Sequence, residues 1–237
     1  MDNLAYIESL KADGRSSNIE MNRYDLKNRF LYPFFPVTII DDFYEDPDLV
    51  RNFALKQEYY KGERGSWPGL RSPYVNEINL GLFENLKKKL LLIFKDYGYS
   101  DFTEIQTTFQ LIDETYGTGW VHDDDPKLNI AGLIYLSPIV PESGSGTTLY
   151  EDNNNFNGEK YADAFMEDVL ISSDEDRKKF KDLREEQKNQ FKKTITIENV
   201  YNRCIIFDTR QWHSADGFFG KDKENTRLTQ VFFVKAV

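Results

Sequence analysis

The sequence predicts a mainly β chain with flanking helices, an α+β arrangement in which a β core carries helices packed on one side. Three observations point there. Helical periodicity dominates only the first hundred residues, the apolar period changes to two from about residue 104, and short apolar strands then recur almost to the end of the chain. With 237 residues, 40% hydrophobic and 15% aromatic, the chain is long enough to bury a sizeable core, so one elaborated domain over 1–237 is expected. Residues 1–103 would form a helical and strand elaboration and 104–235 the β core.

Residues 1–34 are polar and tyrosine-rich. PFFPVTIIDDF (33–43) sets a β-branched apolar run against an acidic turn and predicts a first strand. Asp46 as cap and Pro47 at the first helical position then open a short helix with Leu49, Phe53 and Leu55 as a rough apolar face. Tyr59 to Asn76 holds three Gly and two Pro and predicts a long ordered loop. Leu82, Leu86, Leu90 and Phe94 recur every four residues, which predicts a second helix ended by Gly98.

The β series follows. EIQTTFQLID (104–113) puts Ile105, Thr107, Phe109 and Leu111 on one face. NIAGLIYLS (129–137), bounded by Pro126 and Pro138, reads as a buried strand, and SGSGTTLY (143–150) as a tight turn entering a short one. Further strands are read at TITIENV, RCIIFDT and RLTQVFFVK. Residues 153–193 interrupt the series with a polar stretch and a charge-dense helix that Ser173 would cap. Such a helix is expected to be a solvated excursion from the sheet.

Composition excludes several function classes. With 40 Asp+Glu against 30 Lys+Arg, the net charge of −10 makes nucleic acid an unlikely partner, since backbone binding needs an electropositive footprint. One cysteine, Cys204, rules out an internal disulfide framework or a multi-thiolate metal site, and its apolar strand makes it a small core residue. The opening residues lack the pattern of a secretion signal and no apolar run approaches the roughly 20 residues of a membrane span. A cytoplasmic, reducing location with no membrane partner is therefore expected; the oligomeric state is not readable.

The two histidines carry the chemistry. His122 and Asp124, after GTGWV, stand at i and i+2, so on extended backbone an imidazole and a carboxylate face one way. His213 follows the strand RCIIF, and a sheet that doubles back would bring it to them. Two His and one carboxylate leave coordination positions open, the arrangement of non-haem Fe(II) sites, whereas structural zinc would want four filled positions. The DDD run lacks the spaced oxygen ligands and glycine of a calcium loop. Arg227 and Thr229 again stand at i and i+2 on a strand, and a guanidinium fork beside a hydroxyl suits a carboxylate. Alternatively, His122 and Asp124 are a surface pair, His213 packs beside Trp212, and Arg227 pairs with Asp208 or Glu224.

The order His122-x-Asp124, His213, Arg227-x-Thr229 resembles that of the 2-oxoglutarate- and Fe(II)-dependent dioxygenases. YGTGWVHDD (116–124), GLIYLSPIVPESGSGTTLY (132–150) and RCIIFDTRQWHSADG (203–217) are similar to their prolyl 4-hydroxylase-like branch. The likeness covers about residues 104–235; the long interval from His213 to Arg227 and the excursion after Tyr150 depart from it. It implies a double-stranded β-helix, or jelly roll, with Fe(II) held by His122, Asp124 and His213. It implies that the distal carboxylate of 2-oxoglutarate meets Arg227, with Thr229 assisting and Tyr135 donating its hydroxyl. The implied activity uses O2 to convert 2-oxoglutarate to succinate and CO2 while hydroxylating a C–H bond. Asp124 argues against halogenation, which in this superfamily needs the carboxylate position vacated. Two other readings remain: a jelly-roll protein that binds metal without turnover, and a cupin-like iron enzyme that does not use 2-oxoglutarate. The substrate would be a peptide side chain, an amino acid or another small metabolite. Trp67, Arg71 and Tyr74, set among prolines in WPGLRSPY (67–74), are candidate substrate residues.

Overall fold

The computed structural model describes residues 37–61, 67–125, 127–141, 144–152 and 174–237, with seven further positions between 156 and 168. Expectations for residues 1–36, and for Pro126 and Ser173, lie outside the described residues. Nine strands run as β1 (Thr38–Ile40), β2 (Leu70–Arg71), β3 (Phe102–Ile112), β4 (Ile130–Tyr135), β5 (Thr147–Asp152), β6 (Phe191–Ile197), β7 (Cys204–Asp208), β8 (Trp212–Ala215) and β9 (Arg227–Ala236) among the described residues. The helices are α1 (Pro47–Leu55), α2 (Val75–Ile78), α3 (Leu80–Phe94) and α4 (Asp174–Lys188). Among the described residues, no helix is long and apolar enough to cross a membrane.

The strands form two antiparallel sheets. The larger has the order β1-β7-β4-β9-β3-β2 and the smaller β6-β5-β8. Period-two alternation gives β4, β7 and β9 apolar residues on both faces. Leu228, Phe232 and Val234 of β9 join Phe109 and Leu111 of β3 against Leu86, Leu90 and Phe94 of α3. The opposite face sends Ala131 and Tyr135 of β4 and Ile205 and Phe207 of β7 against Leu149 and Ile197 of the smaller sheet. Between the two sheets the packing opens into a cavity. Cys204 is fully buried on the helical side, where burial pushes its thiol pKa up.

The helices follow their local signals, with corrections. Asp46 caps α1 by accepting from Leu49 N at 2.9 Å, and Pro47 stands at its start. Its buried residues are Val50 and Ala54, four apart, while Leu49 is 69% exposed, so the expected apolar face is rotated. Asn79 caps α3 through Leu82 N, and Gly98 ends the run with φ +85°. The expected loop at 59–76 is not all loop: Leu70 and Arg71 pair with Leu111 and Gln110 of β3, and Val75 opens α2. His213 lies inside β8, not at the end of the RCIIF strand.

The expectation of a solvated excursion at 153–193 is overturned. Phe180, Arg184 and Gln187 of α4 are buried, and Phe180 packs on Trp120 and Tyr161. Their spacing of four and three defines one helix face, pressed onto the segment that leads to His122.

Gly132, facing Phe232 across β4 and β9, tests the layering. A Cβ there would lie 2.4 Å from Phe232 Cζ and 2.5 Å from Ile205 O, a backbone atom that cannot step aside. Gly132→Ala is expected to destabilise the fold by about 1–3 kcal/mol. Urea unfolding reads this as a lower midpoint at unchanged slope; an unchanged midpoint would contradict the packing.

Candidate metal centre

His122 and His213 meet across an isolated antiparallel bridge. His122 N donates to His213 O at 3.0 Å and His213 N to His122 O at 2.9 Å. Directly opposed residues in such a pair project their side chains to the same side, and the two imidazole centroids are 4.3 Å apart. Asp124 reaches them from two residues on, its backbone N donating to Thr209 O at 2.8 Å. Its carboxylate oxygens lie 4.0 Å from His122 Nε2 and 3.6 Å from His213 Nε2. One ligand atom from each of the three residues falls within 4.8 Å of the others.

The outer partners fix which nitrogen faces inward. His122 Nδ1 is 3.0 Å from Trp120 O, and His213 Nδ1 is 2.9 Å from Gln211 O. A carbonyl oxygen only accepts, so each Nδ1 carries the proton and each Nε2 keeps a lone pair aimed at the carboxylate. Burial, and then the neighbouring His122 ring, hold the His213 pKa well below its usual value, which favours the neutral ligand form. The donor set fits a divalent metal held by two nitrogens and one oxygen, with further coordination positions open.

The same cavity, about 1180 Å³, reaches Arg227. Arg227 is 3% exposed, and its Nε donates to Ser145 O at 3.1 Å. Among the described residues it forms no ion pair with either residue considered from sequence, and Asp208 instead binds Arg210 through two contacts of 2.7 and 2.6 Å. Burial lowers the Arg227 pKa, with the charge interaction with Tyr135 opposing that shift. Tyr135 also bonds Thr147 Oγ1 at 2.8 Å. Arg227 Nη2 and Thr229 Oγ1 are buried and have no hydrogen-bond partner. Two orphaned donors side by side at a cavity wall fit the carboxylate of a small acid.

Trp67 and Arg71 line the cavity as well, whereas Tyr74 sits at the start of α2, 44% exposed and off the cavity wall. Sequence reasoning missed the third wall. Gln187 of α4 donates to Val121 O at 2.7 Å and accepts from Val121 N at 2.9 Å, clamping the residue before His122. Asp168 accepts from Trp120 Nε1 at 2.7 Å and pairs with Arg184, whose Nη2 donates to Tyr116 O at 2.6 Å. The helical spacing of Phe180, Arg184 and Gln187 was the available signal, hidden by the polar character of the last two.

The fold is shared with solved structures of one kind. A prolyl hydroxylase from Trichoplax adhaerens, solved in complex with a hypoxia inducible factor oxygen degradation domain peptide fragment, is 12% identical, with a TM-score of 0.53 over 96% of this chain and 92% of its own. HygX from Streptomyces hygroscopicus, solved with nickel, 2-oxoglutarate and hygromycin B bound, is also 12% identical, with a TM-score of 0.53 over 89% of this chain and 87% of its own. At this identity the likeness is one of architecture. By sequence, the chain belongs to the family described as a family of unknown function, DUF6445, whose model matches residues 34–234. No curated protein matches it in sequence.

If Gln187 positions His122 through Val121, Gln187→Leu should weaken metal binding without touching a ligand. Co(II) affinity, measured by competition with a chelator on the folded variant, is expected to fall about tenfold. Unchanged affinity would reduce α4 to a packing element.

Proposed function

We propose that this protein is an Fe(II)- and 2-oxoglutarate-dependent oxygenase built on a double-stranded β-helix (jelly roll). In this reading it converts 2-oxoglutarate to succinate and CO2 with O2 and hydroxylates a C–H bond of a peptide side chain, amino acid or small metabolite. One observation carries the reading. The His122, Asp124 and His213 cluster opens on the same cavity as Arg227, whose Nη2 is a buried donor without a partner, and Thr229, two residues along the same strand, keeps a second such donor. The likeness of fold to HygX, solved with nickel and 2-oxoglutarate, and to a prolyl hydroxylase solved with a peptide, supports it.

When bound, Fe(II) and 2-oxoglutarate supply the oxygen activation and C–H oxidation. The chain's own residues hold and orient. His122 and His213 present Nε2 lone pairs fixed by their Nδ1–H bonds to Trp120 O and Gln211 O. Asp124 contributes the anionic ligand. Arg227 takes the distal carboxylate through Nη2, and Thr229 Oγ1 adds a second donor. Tyr135, anchored on Thr147, lies at the guanidinium and keeps its fork in place. Leu133, Val231 and Phe233 line the cavity with apolar surface that excludes water from the reacting centre. The net charge of −10 supports a small-molecule or peptide substrate over a nucleic acid.

The test is succinate release from iron-loaded protein under O2. His122→Ala and His213→Ala should each abolish it and lose stoichiometric Fe(II). Arg227→Ala should raise the 2-oxoglutarate requirement by about 10- to 100-fold, as expected for a charge-assisted hydrogen bond worth ~1.5–3 kcal/mol. Stoichiometric metal with no succinate from any substrate would leave a metal-binding protein without turnover. Activity that is insensitive to Arg227→Ala would instead indicate an iron enzyme that does not use 2-oxoglutarate.

A further inference from the structure

The cavity holds a second guanidinium that the proposed cosubstrate site does not use. Arg71 lies on β2, the edge strand, opposite Gln110 of β3; Gln110 in turn stands opposite Thr229 of β9, and Thr229 opposite Tyr135 of β4. Arg71, Gln110, Thr229 and Tyr135 thus form one transverse row across four strands. At the usual strand spacing, two steps put the Arg71 Cα about 10 Å from that of Thr229. Gln110 is engaged elsewhere, donating to Pro68 O at 3.0 Å, so it does not satisfy the arginine.

The Arg71 side chain is held but not neutralised. Its guanidinium carbon lies 4.3 Å from the centroid of Trp67 and 5.8 Å from that of Phe233, two rings that fix its plane. Its Nε is buried without a hydrogen-bond partner, and no carboxylate among the described residues forms an ion pair with it. Burial lowers its pKa to about 10, with the charge of Asp124 opposing, so it stays a cation near the metal cluster. In the proposed centre the Asp124 charge is taken up by the metal, which leaves Arg71 without a counter-charge. A guanidinium fork held against Trp67 at the cavity wall, with a buried donor unmet, calls for a planar anion.

We propose that Arg71 binds the carboxylate of the primary substrate, a small acid whose apolar body lies along Trp67, Phe233 and Leu133. This rests on the reading that Arg227 serves the cosubstrate. Asp123, Asp125 and Asp152 also line the cavity, which makes an amine the rival ligand.

Three probes with one body and different charges separate these cases: 3-phenylpropanoate, 3-phenylpropanamide and 3-phenylpropylamine. Each is titrated calorimetrically into the Fe(II) protein, without O2, at saturating 2-oxoglutarate. The carboxylate should bind at least ~10-fold more tightly than the amide, as expected for a charge-assisted pair. Arg71→Gln should erase that preference, and Arg71→Lys, which keeps the charge but not the fork, should retain part of it. Equal binding of acid and amide by the native protein, preferential binding of the amine, or an acid preference that survives in Arg71→Gln each overturns the proposal. Titration of 2-oxoglutarate into the same proteins separates the two readings. Failure of the native protein to bind 2-oxoglutarate sinks the proposed oxygenase, whereas a loss of 2-oxoglutarate affinity in Arg71→Gln makes Arg71 the cosubstrate anchor and overturns only the substrate assignment.

Discussion

Two hydrogen bonds between His122 and His213 set the conditions for everything else in the site. The bridge is a single residue pair outside any regular ladder, yet it forces two side chains 91 positions apart in sequence onto one side of the backbone. Close, half-stacked imidazoles resist being charged together, and burial disfavours the charged form of His213 further. His213 is held toward its neutral form, and a neutral imidazole with an inward lone pair is a ligand. Asp124 completes the set because its own backbone is pinned to Thr209, just after β7, which brings the carboxylate back toward β8.

An isolated bridge needs support from both sides. On one side β8 is an edge strand of the smaller sheet, with Leu149 opposite His213 and Thr148 opposite Ser214. On the other, the approach to His122 meets β8 at the bridge and where Gly119 N donates to Ala215 O at 3.0 Å, and α4 supplies a further partner. Gln187 makes with Val121 the two bonds that a β partner would make, and Arg184, Asp168 and Trp120 hold the turn before it. Gly119 lies against Ala215, where a Cβ would come within 3.2 Å of its N and O, so the approach can close on β8 only without a side chain there. The wall of the cavity and the support of a metal ligand are therefore the same helix. Whatever binds against that wall presses on the segment that carries His122.

Much of this was legible in the sequence where local chemistry and tertiary demand agree. The four-residue spacing of α3, the alternation of β3 and β9, and the Asp46-Pro47 start of α1 each express one period or one cap, and the structure follows them. The spacing of His122 with Asp124 and of Arg227 with Thr229 likewise survives, because i and i+2 on extended backbone share a side. What was not legible depends on partners distant in sequence. Strand β8 is four residues, WHSA, with no alternation to declare it. The two residues of β2 become a strand only because Leu111 and Gln110 offer them an edge. The inner face of α4 is carried by Arg184 and Gln187, whose burial makes sense only once Asp168, Tyr116 O and Val121 are in place.

The contrast between the arginines of the cavity bears on what the site is for. Arg184 is 1% exposed and has a buried carboxylate, Asp168, as its partner; Arg210, at the neighbouring strand end, has Asp208. Where the fold needed a cation for its own support, it supplied the anion. Arg227 is nearly as buried and Arg71 lies over the Trp67 ring, yet among the described residues neither has an ion pair, and each, like Arg184 at its Nε, keeps a buried donor without a partner. An unmet buried donor costs about 1–3 kcal/mol, a substantial share of a stability margin of roughly 5–15 kcal/mol. A mutation to a neutral residue would remove that cost, so the two guanidinium groups are best explained by anions that arrive from solution. In the proposed reading, two such positions about two strands apart divide the binding of a cosubstrate from that of a substrate.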